Sequence, residues 1–240
     1  MTPRAKLPVA IVGADGRMGR FAQDLIAKSA EFAVVAAVGR GDDLGAVLAR
    51  TKPVVALDVT RAGLGFEHGA AMLEAGVRPL IGTSGVSLEE NASLDRIARE
   101  LGLGGLVVPN FSLGMWLLQQ AAVEAARRFA NAEIVEMHHE RKTDAPSGTA
   151  LDTAERMRAA RGEGSAEIPI NSVRLPGLYA HQVVTFGAPG ETYTLRHDMS
   201  GTAAFGPGIL RGLAYAATAL GVGRGIGVAL SALGFEPRAD

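Results

Sequence analysis

The sequence predicts an α/β fold, with a parallel sheet covered by helices on both faces followed by a second unit of α+β type. Three observations carry this. Up to Pro109, short apolar, β-branched runs alternate with helical patterns, which is how parallel strands joined by crossover helices read. A glycine-rich turn follows the very first apolar run. After Pro109 the pattern changes to one long helix and then to closely spaced strand patterns with a Gly-Ala-Pro-Gly turn at 187–190, which is hairpin grammar.

Taken in order, Val9–Val12 reads as a buried strand, and Gly19–Lys28 as a helix with Phe21, Leu25 and Ile26 on one face. Phe32–Val38 is a second strand, Val54–Val59 a third, Pro79–Ile81 a short fourth and Leu106–Val108 a fifth. Ser87-Leu88-Glu89-Glu90 has the spacing of a capping box and should open a helix running to about Leu101. Ser112–Ala130 is a long helix, Glu133–His139 a strand and Thr149–Ala160 a helix. Gly162–Pro169 is a loop. Ser172–Arg174, Gln182–Phe186 and Thr192–His197 are strands. Gly208–Leu220 is an Ala/Leu-rich helix expected to return to the first domain. The stretch Gly221–Gly227 reads as a glycine-rich end.

Composition excludes several classes. The 240 residues can bury a sizeable core, at 48% hydrophobic and 20% charged. A net charge of −1 gives no electrostatic case for nucleic acid or an anionic membrane. With no cysteine there is no disulfide, thiol nucleophile or thiolate metal site. The apolar run Pro8–Val12 is too short for a signal sequence and no later stretch spans a bilayer, so a cytoplasmic protein is expected.

Gly13-Ala14-Asp15-Gly16-Arg17-Met18-Gly19 follows the first strand and opens the first helix. Glycines there let the backbone turn tightly and approach a pyrophosphate at the helix N-terminus. The spacing is G-x-x-G-x-x-G rather than G-x-G-x-x-G, so the motif signals a dinucleotide through its place in the pattern more than its letters. The second strand ends Val38-Gly39-Arg40, without the acid that binds ribose hydroxyls in NAD-selective sites. Arg40 could meet a 2′-phosphate, or be a solvated turn residue; Asp42 and Asp43 could still reach a ribose. Gly82-Thr83-Ser84-Gly85 and Pro109-Asn110-Phe111-Ser112 lie at further strand ends, where ligands of open α/β sheets sit; the plainer reading is a turn and a helix N-cap at Ser112.

The densest chemistry lies at 136–150, Glu-Met-His-His-Glu-Arg-Lys-Thr-Asp-Ala-Pro-Ser-Gly-Thr-Ala. His138 and His139 offer proton donors near neutral pH. Lys142 offers a cation or a tunable acid. Of 24 basic residues only four are lysine (Lys6, Lys28, Lys52 and Lys142), so its place in this motif favours a need for an ammonium. Ser147, Gly148 and Thr149 offer hydroxyls and N–H groups at a helix start, which suits an anion. The inventory fits a small dicarboxylate that is held and protonated. Adjacent histidines on a strand point to opposite faces and make poor joint ligands, so no metal is expected. His68 reads as a solvated surface residue, Met115 and Trp116 as core or interface, and His181 and His197 as hydrogen-bonding groups.

These segments, in this order, resemble dihydrodipicolinate reductase. The resemblance rests on the turn ending Arg-Met-Gly-Arg, on Gly-Thr-Ser-Gly, on Pro-Asn-Phe-Ser and on His-His-x-x-Lys-x-Asp-Ala-Pro-Ser-Gly-Thr. It extends to Ser172-Val173-Arg174 with Gly177, His181 and Gln182, and to Leu195-Arg196-His197-Asp198 ahead of Phe205-Gly206-Pro207-Gly208. The resemblance implies a Rossmann-type dinucleotide-binding domain over 1–109 and 205–240, with a substrate-binding and tetramerisation domain over 110–204. It implies reduction of 4-hydroxy-tetrahydrodipicolinate to tetrahydrodipicolinate by NADPH, preferred, or NADH, in a homotetramer. It implies that Gly13, Ala14, Asp15, Gly16, Arg17 and Met18 hold the pyrophosphate and that Arg40 faces a 2′-phosphate. Gly82, Thr83, Ser84, Val108, Pro109, Asn110 and Phe111 would line the nicotinamide side. His138 would be the proton donor and Lys142 its partner acid, while His139, Gly148 and Thr149, with Ser147 beside them, would hold the substrate carboxylates.

Two positions depart from the family pattern. Gly39 stands where an acid is common, which weakens the case for tight NADH binding. Thr202 stands where an arginine is usual, which bears on substrate binding or subunit contacts. An imine reductase of another pathway and a non-catalytic nucleotide sensor are the competing readings; an intact His-His-x-x-Lys argues against the sensor.

Overall fold

A computed structural model describes residues 5–232. Residues 1–4 and 233–240 lie outside the described residues, and with them both ends of the first-domain span expected from the sequence. The described chain forms two compact units, 5–111 with 205–232, and Ser112–Ala204.

The first unit is built on a six-stranded parallel sheet. Its strands are β1 (Leu7–Val12), β2 (Phe32–Val38), β3 (Val55–Asp58), β4 (Arg78–Ile81), β5 (Gly104–Val107) and β10 (Gly221–Arg224), in the order β2-β1-β3-β4-β5-β10. Near-continuous apolar runs form these strands because helices cover them: β3 is buried at every position. The helices are α1 (Arg17–Ala27), α2 (Leu44–Thr51), α3 (Gly65–Glu74), α4 (Leu88–Glu100), α7 (Gly206–Ala216) and α8 (Ile226–Ala232). The expected capping box opens α4: Ser87 Oγ accepts from Glu90 N at 3.0 Å, and Ser87 N donates to Glu90 Oε2 at 2.7 Å. The strand order reverses at β1, which has β2 on one side and β3 on the other. That places a ligand crevice at the C-terminal ends of β1 and β3.

The sequence gives no assignment for α2 and α3 and reads Gly221–Gly227 only as a glycine-rich end. The structure makes Gly221–Arg224 a sheet edge strand instead. Glycine is a poor strand former, but close packing demands it here. A Cβ on Gly221, whose φ is +78°, would fall 2.3 Å from Asp95 Oδ1. On the neighbouring β5, a Cβ on Gly104 would fall 2.1 Å from Ala219 O, and one on Gly105 would fall 2.6 Å from Pro79 O. α7 ends at Ala216, a turn short of the expected Leu220.

The second unit has a four-stranded mixed sheet of β6 (Asn131–His138), β7 (Ile170–Arg174), β8 (Ala180–Ala188) and β9 (Glu191–Met199), in the order β7-β6-β8-β9. β7 runs parallel to β6, and the other pairs are antiparallel. α5 (Leu113–Ala126) and α6 (Gly148–Arg161) supply Met115, Leu118, Ala122 and Met157 to a core shared with Ile134, Val184 and Phe186. Side chains alternate along a strand, so Ile134, Glu136 and His138 share one face. The first of them is core, and the next two extend that face into polar chemistry. No helix among the described residues is long and apolar enough to cross a membrane.

Candidate functional site

In the first unit, the C-terminal edge of the parallel sheet gathers the expected nucleotide residues. Gly13 has a φ of +86°, and a Cβ there would lie 3.0 Å from Thr60 Cγ2. Only glycine lets the turn run this close to the loop after β3. Gly13 N and Ala14 N both donate to Val38 O, at 2.9 and 3.0 Å, tying the turn to the end of β2. α1 starts at Arg17 with Gly16 as its N-cap and no side-chain cap. α3 and α7 likewise have no side-chain cap, whereas α2, α4, α5 and α6 are capped by Asp43, Ser87, Ser112 and Ser147. A glycine turn leading into a helix start without a side-chain cap fits a pyrophosphate.

At the tip of β2, Arg40 is exposed. The adjacent acids each accept one backbone N–H. Asp42 Oδ2 accepts from Gly39 N at 2.8 Å, and Asp43 caps α2 through Ala46 N at 3.0 Å. A Cβ on Gly39 would lie 2.4 Å from Asp15 Oδ2. Carboxylates of Asp15 and Asp42 therefore already stand around the position where the family often carries an acid.

Thr83 is buried, and so are the side chains of Val108 and Phe111; the Phe111 ring lies against Gly82. Gly82, Ser84, Pro109 and Asn110 border the same sheet edge, with Gly82 N donating to Asp58 O at 2.8 Å and Val108 N to Ile81 O at 2.8 Å. The sequence reading missed what lies beneath. Asp58, fully buried at the end of β3, accepts from Thr60 N at 2.8 Å, Thr60 Oγ1 at 2.6 Å and Thr83 Oγ1 at 2.8 Å. His68 Nδ1 sits 3.1 Å from its other oxygen. His68 is thus not the solvated surface residue expected: its side chain is 20% exposed and its ring is tied to a buried carboxylate. An acid closing an otherwise apolar strand was the available signal, because a buried carboxylate has to be hydrogen-bonded.

In the second unit, β6, β7 and the loop into α6 converge on one buried carboxylate. Glu136 has no exposed surface. Its Oε2 lies 2.5 Å from His138 Nδ1 and 2.9 Å from Arg174 Nη1, and its Oε1 accepts from Arg174 Nη2 at 2.7 Å and Ser147 N at 3.2 Å. Arg174 comes from β7, where register pairs it with His138. Arg174 Nη2 also donates to Asp144 O at 2.7 Å, and both Asp144 oxygens accept from Lys142 Nζ at 2.8 Å. Burial pushes the Glu136 carboxyl up, but bonds from Arg174, Ser172 and His138 outweigh it and hold the group below the usual carboxylate range. Burial also lowers the His138 imidazole below the ordinary histidine value; Glu136 opposes this, while Lys142 and Arg174 add to it. The Lys142 ammonium holds Asp144 below its usual range.

The Ala145–Pro146 bond is cis and leads into Ser147, whose Oγ accepts from Ala150 N at 3.2 Å to cap α6. The Ser147 N–H is thus engaged by Glu136, and its hydroxyl oxygen accepts the helix cap while the O–H remains a donor. A Cβ on Gly148 would meet nothing within 4 Å, so the helix start opens outward there. His139 is half-buried, and its Nδ1 is buried without a hydrogen-bond partner among the described residues. His181 and His197 both have hydrogen-bond partners: His181 Nδ1 lies 2.7 Å from Asp198 Oδ1, and His197 Nε2 lies 3.1 Å from Ser112 Oγ. Met115 is in the core, as expected. Thr202 opens a short 3-10 turn, Thr202–Phe205.

Comparison with known proteins covers nearly the whole chain. Residues 7–111 match the family model described as dihydrodipicolinate reductase, N-terminus, and residues 114–224 match that described as dihydrodipicolinate reductase, C-terminus. A 4-hydroxy-tetrahydrodipicolinate reductase of Coxiella burnetii (strain RSA 493 / Nine Mile phase I) is 44% identical over 79% of this chain and 85% of its own. One from Thermosynechococcus vestitus is 40% identical over 85% of this chain and 90% of its own. A dipicolinate-bound dihydrodipicolinate reductase structure from Paenisporosarcina sp. TG-14 superposes with a TM-score of 0.79 at 32% identity, covering 92% of this chain and 98% of that one.

Proposed function

The chain belongs to the dihydrodipicolinate reductase family, and on that premise we propose that it reduces 4-hydroxy-tetrahydrodipicolinate, with one hydride, one proton and loss of the 4-hydroxyl as water, to tetrahydrodipicolinate in lysine and diaminopimelate synthesis. The observation that carries this is the linked set of His138, Glu136, Arg174, Asp144 and Lys142 beside the start of α6. It combines two proton-bearing groups with a helix start suited to a carboxylate.

The first unit holds the nicotinamide dinucleotide in this reading, and the second holds the cyclic dicarboxylate. Bound reduced nicotinamide supplies the hydride. Gly13 to Met18 receive the pyrophosphate, and the edge formed by Gly82, Thr83, Ser84, Val108, Pro109, Asn110 and Phe111 lines the nicotinamide side. Gly148 and Thr149 N–H groups and the His139 ring, with Ser147 beside them, hold the substrate carboxylates. His138 Nε2 and Lys142 Nζ deliver the proton where electron density accumulates.

Arg40 gives NADPH its preference over NADH. Charge-assisted contacts to a phosphate are worth about 1.5–3 kcal/mol, on the order of 10- to 100-fold in affinity. The Asp15 and Asp42 carboxylates near Gly39 oppose a 2′-phosphate and place the preference at the lower end. A cytoplasmic homotetramer built through the second unit completes the reading, and sedimentation of the purified protein tests the assembly.

The deciding experiment follows the near-ultraviolet absorbance of the reduced cofactor with enzymically generated 4-hydroxy-tetrahydrodipicolinate, with NADPH and NADH in parallel. Oxidation dependent on that substrate is the expected result. Cofactor oxidation only with some other cyclic imine would move the protein to another pathway, and binding without turnover of either would make it a sensor. Dipicolinate should inhibit competitively against the substrate, and His139→Ala should weaken that inhibition while leaving nucleotide affinity intact.

A further inference from the structure

The buried carboxylate of Glu136 is the least expected feature of the second unit. A fully buried carboxylate is costly unless its oxygens are saturated with donors. Those of Glu136 take Arg174 through two nitrogens, the Ser147 N–H and the His138 ring. An ionised carboxylate only accepts. The short contact therefore fixes His138 Nδ1 as the protonated nitrogen and leaves Nε2 as the one that can meet a ligand. The opposite tautomer would set a lone pair against a carboxylate oxygen at 2.5 Å. Arg174 carries the constraint further. The guanidinium that pairs with Glu136 also holds the backbone oxygen of Asp144, whose carboxylate grips Lys142 through both oxygens. A single salt bridge thus links the two groups assigned to proton delivery, although they come from a strand and a loop.

We propose that Glu136 and Arg174 are positioning residues for the reductase reaction: Glu136 fixes the tautomer and ring orientation of His138, and Arg174 sets Lys142 through Asp144. Neither touches substrate in this assignment. The proposal rests on the reductase reading for its kinetic consequences, but its structural claim stands on the hydrogen bonds alone. Losing a tautomer-fixing carboxylate leaves the acid present but mis-set, so the damage falls on turnover rather than on binding.

The test has two arms. Long-range proton–nitrogen NMR on the ¹⁵N-histidine-labelled full chain reads the His138 tautomer without any substrate, with His138→Gln assigning the signal. The expected wild-type spectrum shows protonated Nδ1 and unprotonated Nε2 at neutral to mildly alkaline pH, and Glu136→Gln mixes the tautomers. A wild-type Nε2–H tautomer, or an unchanged one in Glu136→Gln, would overturn the proposal whatever the substrate proves to be. In the kinetic arm, Glu136→Gln and Arg174→Lys each lower kcat roughly 10- to 100-fold, less than the full worth of the acid. The KM for nucleotide stays within about twofold. Glu136→Asp, which keeps the charge, restores more of kcat than Glu136→Gln does. Glu136→Gln also moves the high-pH fall of kcat to lower pH, since it removes the charge that favours the imidazolium. Folded Glu136→Gln and Arg174→Lys proteins, verified by circular dichroism, with wild-type kcat and pH profile would refute the positioning role. Wild-type protein inactive on the proposed substrate, with the expected tautomer present, would refute only the reductase reading.

Discussion

In the proposed reaction His138 and Lys142 divide the proton chemistry unequally, because their surroundings differ. Burial depresses the imidazole, so at neutral pH His138 is mostly the neutral Nδ1–H form, and its Nε2 donates only after taking up a proton. Turnover that depends on this imidazolium is full at low pH and falls as pH rises through a value below the ordinary histidine value of 6.5, a limb that a pH–kcat profile reads directly. His138→Ala and Lys142→Ala should each reduce turnover by roughly 10²- to 10⁴-fold, the usual worth of general acid–base help. Nucleotide affinity, measured by calorimetry, should stay as in wild type; near-normal turnover in both variants would remove the pair from the mechanism. Arg40 belongs to the proposed nucleotide site of the first unit. Arg40→Ala should weaken NADPH and leave NADH unchanged, whereas Asp42→Asn should tighten NADPH by removing a carboxylate from the phosphate's neighbourhood. Equal weakening of both cofactors by Arg40→Ala would refute the 2′-phosphate role. At this scale the histidines, the lysine and the helix-start residues stood out as candidates in the sequence, and the resemblance supplied their proposed roles. Glu136 and Arg174 were in view, one in the motif and one in the resemblance, but nothing in the letters says that a strand pairing brings them together.

The elements show where local sequence rules hold and where packing overrules them. Ser87 and Glu90 form their capping box as the spacing predicts, because both partners lie within one helical turn. Ser147 caps α6 while its N–H serves Glu136, so one residue ties the helix start to the buried salt bridge. Ser147→Ala should cost about 1 kcal/mol of stability for the lost cap. It should also weaken dipicolinate binding by loosening the Gly148–Thr149 start; an unchanged inhibition constant would separate the cap from the anion site. The glycines of β5, α7 and β10 behave oppositely to local rules. A Cβ on Gly208 would lie 2.0 Å from Phe111 O, so helix propensity favours alanine there while packing forbids it. Gly208→Ala should therefore lower the melting temperature, although the same change at an exposed helix site would raise it. Strand β10 was illegible for the same reason, since a Gly-Val-Gly-Arg run carries no strand signal until its neighbours are in place.

Below neutrality the shifted histidines and carboxylates push stability in one direction, while burial raises the Tyr215 hydroxyl, which acts only in the alkaline range. His138 and His197 are depressed, chiefly by burial, so the unfolded chain binds more protons than the folded one as pH falls below 6.5. Glu136 is depressed despite burial because Arg174, Ser172 and His138 hold it ionised, and its contribution is lost as pH falls below the ordinary 4.5 towards its folded value. Asp144 and Asp198 add in the same sense, but they are largely exposed and screened, so they count for less. The melting temperature should be highest above about pH 6.5 and decline in two stages on acidification; a flat profile from neutrality to pH 4.5 would show that these groups are not perturbed as the packing implies. By itself the sequence determined the parallel α/β unit, the change of grammar after Pro109, the family resemblance and the candidates for proton and anion chemistry. The fold pattern and the candidates follow from periodicity, turn residues and spacing, which act within a few residues of one another, while the resemblance rests on motifs matched in order along the chain. Only the tertiary structure decided that Asp58 and His68 share a buried network, that Gly221–Arg224 is a strand, and that Glu136 joins His138 to Arg174 and Arg174 to Lys142's anchor. Those depend on which strands pair and in what register, and that is set by the fit of side chains far apart in the chain.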